Sequence, residues 1–272
     1  MKRAVFLVLS ITSMAAAQIP ADTSYWKHSL MTSLTVTQIS YTDWAQGGEN
    51  ALSWTGRLEG TSAYDQGPYL WSSSYKFAYG TTKLGTQSMR KTDDNIDLSS
   101  SLTYRVGTYI NPYVSVALKT QFAKGYTYDP TGVGTEISNF FDPAFLTQSA
   151  GLGYQPVPEV KVRLGAAVRE IITNQFRRYA DGEATKVEGG MESVIEVDTR
   201  VVDNIAFHSK LNLFSAFKTF DQVIVHSDNT LAAQINKYLS TTLSVQIIQE
   251  RPISPRTQIK QMIALMASYV LI

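Results

Sequence analysis

The 272-residue chain contains no cysteine, only three histidines and nine prolines, and carries a formal net charge of +1. Without cysteine there is no disulfide framework, no lipoprotein-type anchor and no thiol nucleophile. The near balance of 24 basic and 23 acidic residues gives no reason to expect a nucleic-acid partner. After Asn50 no apolar run approaches about eighteen residues, so that part of the chain holds no helical membrane span. Gly-x-Ser-x-Gly, His-Glu-x-x-His and phosphate-loop strings are also missing.

What is present is alternation. Between Asp94 and Phe122, Ile96, Leu98, Leu102 and Tyr104 share one parity while Asp97, Ser99, Ser101, Thr103 and Arg105 share the other. After Gly107 and Asn111-Pro112, Val114, Val116, Leu118 and Phe122 alternate with Tyr113, Ser115, Ala117, Lys119 and Gln121. Period two with one apolar and one polar face marks a strand, and two such runs around a turn mark a hairpin. These strands run to about ten residues or more, enough to cross a bilayer when tilted, whereas strands of soluble proteins are mostly about five or six. Tyr (15) and Gly (17) are plentiful at an ordinary hydrophobic content of 44%, the profile of a barrel that alternates between lipid and lumen.

The N-terminus has its own logic. Met1-Lys2-Arg3 is basic, Ala4 to Met14 is apolar, and Ala15-Ala16-Ala17 is small, the layout of a secretory signal peptide. Cleavage is expected after Ala17, leaving residues 18–272 as one barrel domain outside the cytoplasm.

Further strands are expected over Trp26–Gln38, Ala51–Tyr64, Pro68–Tyr79, Pro143–Tyr154, Val160–Ile171, from about Met191 to Val201, Ile205–Phe217, Val223–Ile235, Tyr238–Ile248 and Thr257–Ile272. With the hairpin this makes twelve, joined by longer loops, including Tyr41–Glu49, Gly80–Asp93 and Ala123–Asp142, that mostly alternate with very short turns. The expected fold is all-β: a transmembrane, antiparallel, up-and-down β-barrel with both termini periplasmic, in the outer membrane of a Gram-negative bacterium. Period two alone does not tell inside from outside. The leader, the long strands and aromatic stripes such as Tyr69, Trp71, Tyr75, Phe77 and Tyr79 favour apolar faces toward lipid. The last strand is apolar on both parities, so its facing stays open.

Several strings carry a family resemblance. Asp43-Trp44-Ala45-Gln46-Gly47-Gly48-Glu49-Asn50, Arg90-Lys91-Thr92-Asp93-Asp94, Thr120 to Tyr126, Ile137 to Leu146 and Ile235 to Leu239 resemble the DUF3078 family of uncharacterised outer-membrane proteins, found mainly in Bacteroidetes and related bacteria. The resemblance implies a β-barrel without an established activity and supplies no catalytic residues.

A charge facing lipid at mid-depth costs on the order of 2 to 4 kcal/mol, so charges sharing parity with Ser and Thr are expected in the lumen. These are Arg57, Glu59, Lys76, Asp97, Arg105, Lys119, Lys161, Arg163, Arg169, Glu192, Glu196, Asp198, Arg200 and Lys210. They suit either a polar conduit or a network of ion pairs that stiffens a narrow barrel. Trp44, Glu49, Asn50, Arg90, Lys91, Asp93 and Asp94 are expected on external loops, where they would bind a ligand or partner or simply build local turns. No acidic spacing resembles a calcium loop, and no metal or cofactor is expected. The expected partners are outer-membrane lipid, a small polar solute and an envelope protein. The leading reading is a narrow pore or solute-binding barrel; the alternatives are a closed scaffold whose loops dock an envelope component, and a membrane-embedded hydrolase using His208 or His226. No enzyme is expected.

Overall fold

The computed structural model describes residues 25–40, 49–251 and 253–271. The expected leader, its cleavage site and Trp44 lie outside the described residues. In chain order the strands are β1 (Trp26–Ile39), β2 (Ala51–Gln66), β3 (Tyr69–Leu84), β4 (Arg90–Tyr104), β5 (Ile110–Thr120), β6 (Gly125–Tyr128), β7 (Gly134–Ser138), β8 (Ala144–Val157), β9 (Val160–Ile172), β10 (Thr185–Val202), β11 (Ile205–Ala216), β12 (Ile224–Gln234), β13 (Leu239–Gln249) and β14 (Gln258–Val270). Twelve of them form one closed antiparallel barrel, and β6 with β7 forms a separate two-stranded hairpin. Closure is made by β14 pairing with β1, from Met31↔Val270 to Leu34↔Ala267.

Residues directly opposite each other on neighbouring strands share a face, so the registers assign every wall position. Leu58 lies opposite Thr32 and Phe77, and Phe77 opposite Ile96; one residue along, Arg57 lies opposite Ser33 and Ala78. The apolar parity faces outward: Ile263 is 81% exposed, and Leu164, Val114, Leu152 and Leu265 are likewise exposed. On the other parity Arg169 and Glu192 are only 6% and 5% exposed. The molecule is thus inside-out relative to a soluble protein, with ionised groups enclosed and branched aliphatics displayed. Among the described residues no helix is long and apolar enough to cross a membrane, whereas strands of 11 to 18 residues reach across one when tilted.

One end of the barrel carries the short connections, such as Gln66 to Tyr69 and Val202 to Ile205, together with the starts of β1 and the ends of β14. At this turn end the outer face bears a girdle of rings: Trp26 lies 5.2 Å from Tyr64 and 6.0 Å from Trp71, and Tyr69 lies 5.4 Å from Tyr104. Amphipathic rings of this kind settle at the headgroup level.

Inside, one stretch of wall is made from glycine. Gly151 and Gly165 are opposite one another on β8 and β9, and Tyr113, 4% exposed, lies over them from β5. A Cβ on Gly165 would collide with the backbone carbonyl of Ala150 and come within 2.8 Å of the Tyr113 hydroxyl.

The structure corrects three sequence expectations and resolves a fourth point that the sequence left open. The segment Ala123–Asp142 is not an irregular loop, since it folds into the β6–β7 hairpin. Gly80–Asp93 is not a long loop either: β3 continues to Leu84 and β4 starts at Arg90, because a register shift at Gly80/Thr81 absorbs the irregularity without ending the pairing. Arg90, Lys91, Asp93 and Asp94 therefore belong to strand β4. Arg105 falls just past the end of β4 and pairs with Asp65 at the exposed turn-end rim, so it is not part of the lumen wall. The last strand, ambiguous in sequence, turns Ile259, Ile263 and Leu265 outward and buries Ala264 and Met266.

Gly165→Val should overpack the Tyr113 layer and destabilise the barrel by about 1–3 kcal/mol. The measurement is the urea midpoint for loss of heat-modifiable gel mobility, and an unshifted midpoint would contradict the close packing described.

Candidate functional site

Strand registers arrange the lumenal charges into rows of alternating sign. On one wall Glu59 of β2 faces Lys76 of β3, Lys76 faces Asp97 of β4, and Asp97 faces Lys119 of β5. Lys119 Nζ approaches Asp97 Oδ2 to 3.5 Å. On the opposite wall the row runs Lys161, Glu196, Lys210, Asp228, Gln246 and Lys260 from β9 to β14. There Glu196 takes Arg163 at 3.3 Å and Lys210 at 3.4 Å, while Gln246 donates to Asp228 at 2.6 Å. Opposite charges on directly facing positions stabilise a sheet, and each neutralises a neighbour's cost of leaving bulk water.

Two clusters reach across the interior rather than along it. Arg57 of β2 donates to Asp93 of β4 at 2.9 Å, and Lys260 of β14 donates to the same carboxylate at 2.7 Å. Nearer the loop end Arg169 of β9 reaches Glu250, just beyond β13, at 2.6 Å, with Glu188 at 3.8 Å on its other side. His226 Nε2 lies 3.3 Å from Glu250, and Lys186 joins Glu188 at 2.8 Å. The Arg169 guanidinium also lies against the rings of Phe145 and Phe214, beside the apolar cluster Ala167, Phe214, Ala216 and Ile224. Burial alone would raise the Glu250 carboxyl, but the His226 hydrogen bond and the Arg169 charge outweigh it and hold its pKa below the ordinary value.

Between these clusters lies a cavity of about 760 Å³, lined by wall residues of β2–β5 and β12–β14 and by Tyr126, Tyr128 and Ile137 of the hairpin. The hairpin is tied down at several points. Asp94 accepts the backbone N–H groups of Phe122 and Ala123 and the ammonium of Lys91; Arg90 stacks on Tyr128 at 4.0 Å; Tyr179 and Arg178 both donate to the carbonyl of Ile137.

Of the lumen candidates, the cavity is lined by Arg57, Glu59, Lys76, Asp97 and Lys119. Arg163, Glu196 and Lys210 form the facing cluster, and Glu192 accepts from Asn212 at 2.8 Å. Lys161, Asp198 and Arg200 stand exposed near the turn end of the same walls. Lys91, Asp93 and Asp94, expected on loops, line the cavity, and Glu49 and Asn50 sit at the entry of β2 beside Gly85. Sequence reasoning missed Lys260, Asp228 and Glu250. Lys260 was obscured by the two-sided apolar pattern of its strand, although its parity with Met262 and against Ile259 was a usable signal. Glu250 lies in a proline-containing connection where parity has no meaning.

His208 lies 3.7 Å from Asp198 and His226 is taken by Glu250. His28 Nδ1 lies 2.8 Å from Ser62 Oγ on the outer face, but Tyr75 also donates to that hydroxyl, and among the described residues no carboxylate or amide orients the other ring nitrogen.

Residues 36–126, from within β1 to β6, match the family DUF3078, described as a protein of unknown function. Among curated proteins none matches the sequence. Solved structures similar to the chain include the translocator domain of the autotransporter NalP from Neisseria meningitidis, with 10% identity, 92% of this chain and 90% of that chain covered, and a TM-score of 0.40. The NanC porin is similar at 7% identity, 88% and 97% coverage and a TM-score of 0.39. The outer-membrane channel DcaP of Acinetobacter baumannii is similar at 8% identity, 90% and 96% coverage and a TM-score of 0.32.

Arg169→Ala would leave the buried Glu250 with only His226 beside it and the half-buried Glu188 with only Lys186, and should cost about 3–5 kcal/mol in urea unfolding. With a folded-state pKa below the ordinary 4.5, Glu250 contributes stability that is present above that value and is lost as pH falls through the lowered one. The difference in urea midpoint between the unmodified protein and Glu250→Gln should therefore shrink on acidification below about pH 4.5, and a constant difference from pH 7 to pH 3 would refute the assignment.

Proposed function

We propose that this chain is an outer-membrane barrel of narrow bore that admits small polar solutes into a charged chamber beneath the β6–β7 hairpin. One observation carries the reading: the interior holds a cavity of about 760 Å³ with ionised groups on opposite walls. A barrel of about eight strands has an interior that side chains can fill, and one of about sixteen to eighteen leaves an open aqueous channel. Twelve strands fall between these limits.

The outward apolar faces and the ring girdle support residence in a lipid bilayer. With a secretory leader at Met1–Ala17, that bilayer is the outer membrane, and the turn end faces the periplasm. The lumenal charges set which solutes enter, and the hairpin restricts the mouth. No catalytic role is assigned, because no nucleophile, base and orienting group come together among the described residues.

A second reading, a closed scaffold, draws support from the ion pairs that span the interior at Arg169–Glu250 and Arg57–Asp93–Lys260. Planar-bilayer recording separates the two. The refolded protein should show small discrete steps, and replacing residues 124–138 by Gly-Gly should raise the step size several-fold. The deletion is geometrically mild, since Gly125 and Ser138 are paired neighbours. Folded barrels silent in both forms would establish the scaffold reading instead.

A further inference from the structure

The cavity under the hairpin is lined by five cationic side chains, Arg57, Lys76, Lys91, Lys119 and Lys260, and five carboxylates, Glu59, Asp93, Asp94, Asp97 and Asp228. Formal charge alone would make it indifferent to the sign of a solute. Accessibility removes that symmetry. Lys260 is 47% exposed against 12% for its partner Asp93, and Lys119 is 33% exposed against 19% for Asp97. Arg57 is likewise more exposed than Asp93. In these three pairs the carboxylate recedes into the wall and the cation stands over it, so at Asp93 and Asp97 the group a solute meets first is positive.

The Asp93 cluster takes this further. Two cations from different strands converge on one carboxylate, leaving one unit of positive charge uncompensated within the group. Both side-chain hydrogen bonds of Arg57 leave from the same nitrogen, Nη2, one to Asp93 and one to the sulfur of Met262. The rest of its planar fork is oriented but not engaged by these bonds, and a second oxyanion fits a guanidinium edge in parallel fashion. Lys260 uses one of its three donors on Asp93. Around this pair the cavity offers Met262, Ile248, Phe145, Tyr126 and Tyr128, an apolar and aromatic lining against which the body of a small organic molecule packs.

We infer that Arg57 and Lys260 form a binding site for the carboxylate or phosphoryl group of a small organic anion, and that Asp93 is a built-in competitor holding the two cations in place while the chamber is empty. The inference rests on reading the lumen as a solute chamber. An incoming oxyanion shares the donors that Asp93 holds, so the two cations are already in position to receive it. It also predicts an unusual sign: removing an acidic residue improves binding, whereas removing Lys260 weakens it.

The test uses the refolded full-length barrel in detergent, with sodium benzoate and inorganic phosphate as probes and affinities read by isothermal titration calorimetry. Heat-modifiable mobility identifies the folded fraction of each preparation. Asp93→Asn should tighten binding by about tenfold and Lys260→Gln weaken it by a similar factor, as expected for one charge-assisted contact in a confined site. Lys260→Arg, which keeps the charge, should restore affinity if the ammonium acts as an anion donor and not as packing. Binding of benzoate alone would identify a carboxylate as the ligand group, and binding of phosphate alone a phosphoryl group. Equal affinities in the unmodified protein, Asp93→Asn and Lys260→Gln, or no binding of either probe, would overturn the inference. Bilayer recording on the same preparations keeps the two readings apart: conducting barrels that ignore both anions refute only the anion site, and silent barrels that bind them refute only the pore.

Discussion

A backbone N–H placed in hydrocarbon has no water to turn to, and each one left unpaired costs several kcal/mol. That single constraint organises the molecule. A sheet meets it only by closing on itself, which β14 does by returning to β1. Closure forces an inside and an outside on every strand, and period two then sorts residues without further instruction. The apolar parity goes to lipid because nothing else is compatible with it, and the polar parity is confined to the barrel's interior. The alternation of acid and base along the rows follows from that confinement. Glu59, Lys76, Asp97 and Lys119 occupy successive strands at one level, and each lies directly opposite the next.

The interior has two kinds of ion pair with different work to do. Those along the rows join adjacent strands that are already hydrogen-bonded, so they add little new geometry. Arg169–Glu250 and Arg57–Asp93–Lys260 join elements that are not neighbours in the sheet, and these define the shape of the interior. The hairpin is held in the same manner from outside the barrel's own ladder, by the Asp94 carboxylate on two backbone N–H groups and by the Arg90–Tyr128 stack. Arg90 Nε, Glu136 Oε1 and Asp142 Oδ1 are buried without a hydrogen-bond partner among the described residues, and all three belong to the hairpin or its seat. Unsatisfied polar atoms gathered at one contact mark it as the least settled packing in the structure.

The fold was largely legible because its signal is redundant. Most of the twelve strands repeat the same alternation, so a weak reading of one is corrected by its neighbours. The parity of Arg57, Lys76 and Lys119 could be read because Thr55, Ser74 and Ser115 share it. What was not legible depends on where strands stop and on what closure brings together. Arg105 continues the polar parity of β4 in sequence, yet the strand has ended at Tyr104 and the side chain belongs to the rim. Asp93 and Asp94 looked like loop residues because glycine and short polar residues precede them, whereas the register shift at Gly80/Thr81 carries the pairing past that point. The convergence of Arg57 and Lys260, separated by 203 positions, is a product of closure. No local pattern encodes it. The β6–β7 hairpin was missed for another reason: strands of four and five residues are too short for alternation to distinguish them from turns.

The seam differs from the other joints of the wall. β1 and β2 pair continuously from Trp26↔Tyr64 to Ile39↔Ala51, while among the described residues β1 and β14 pair from Met31↔Val270 to Leu34↔Ala267, with Leu271 N on the carbonyl of Leu30. All of that bonding sits toward the turn end. A wall hinged along one short line is mechanically anisotropic: sideways load is shared over eight or more rungs at its other joints and concentrated on a few rungs at this one. The barrel therefore has a preferred fracture line, running from the loop end downward beside the strongly exposed Ile263 and Leu265, and it is the path along which the wall would unzip into the bilayer.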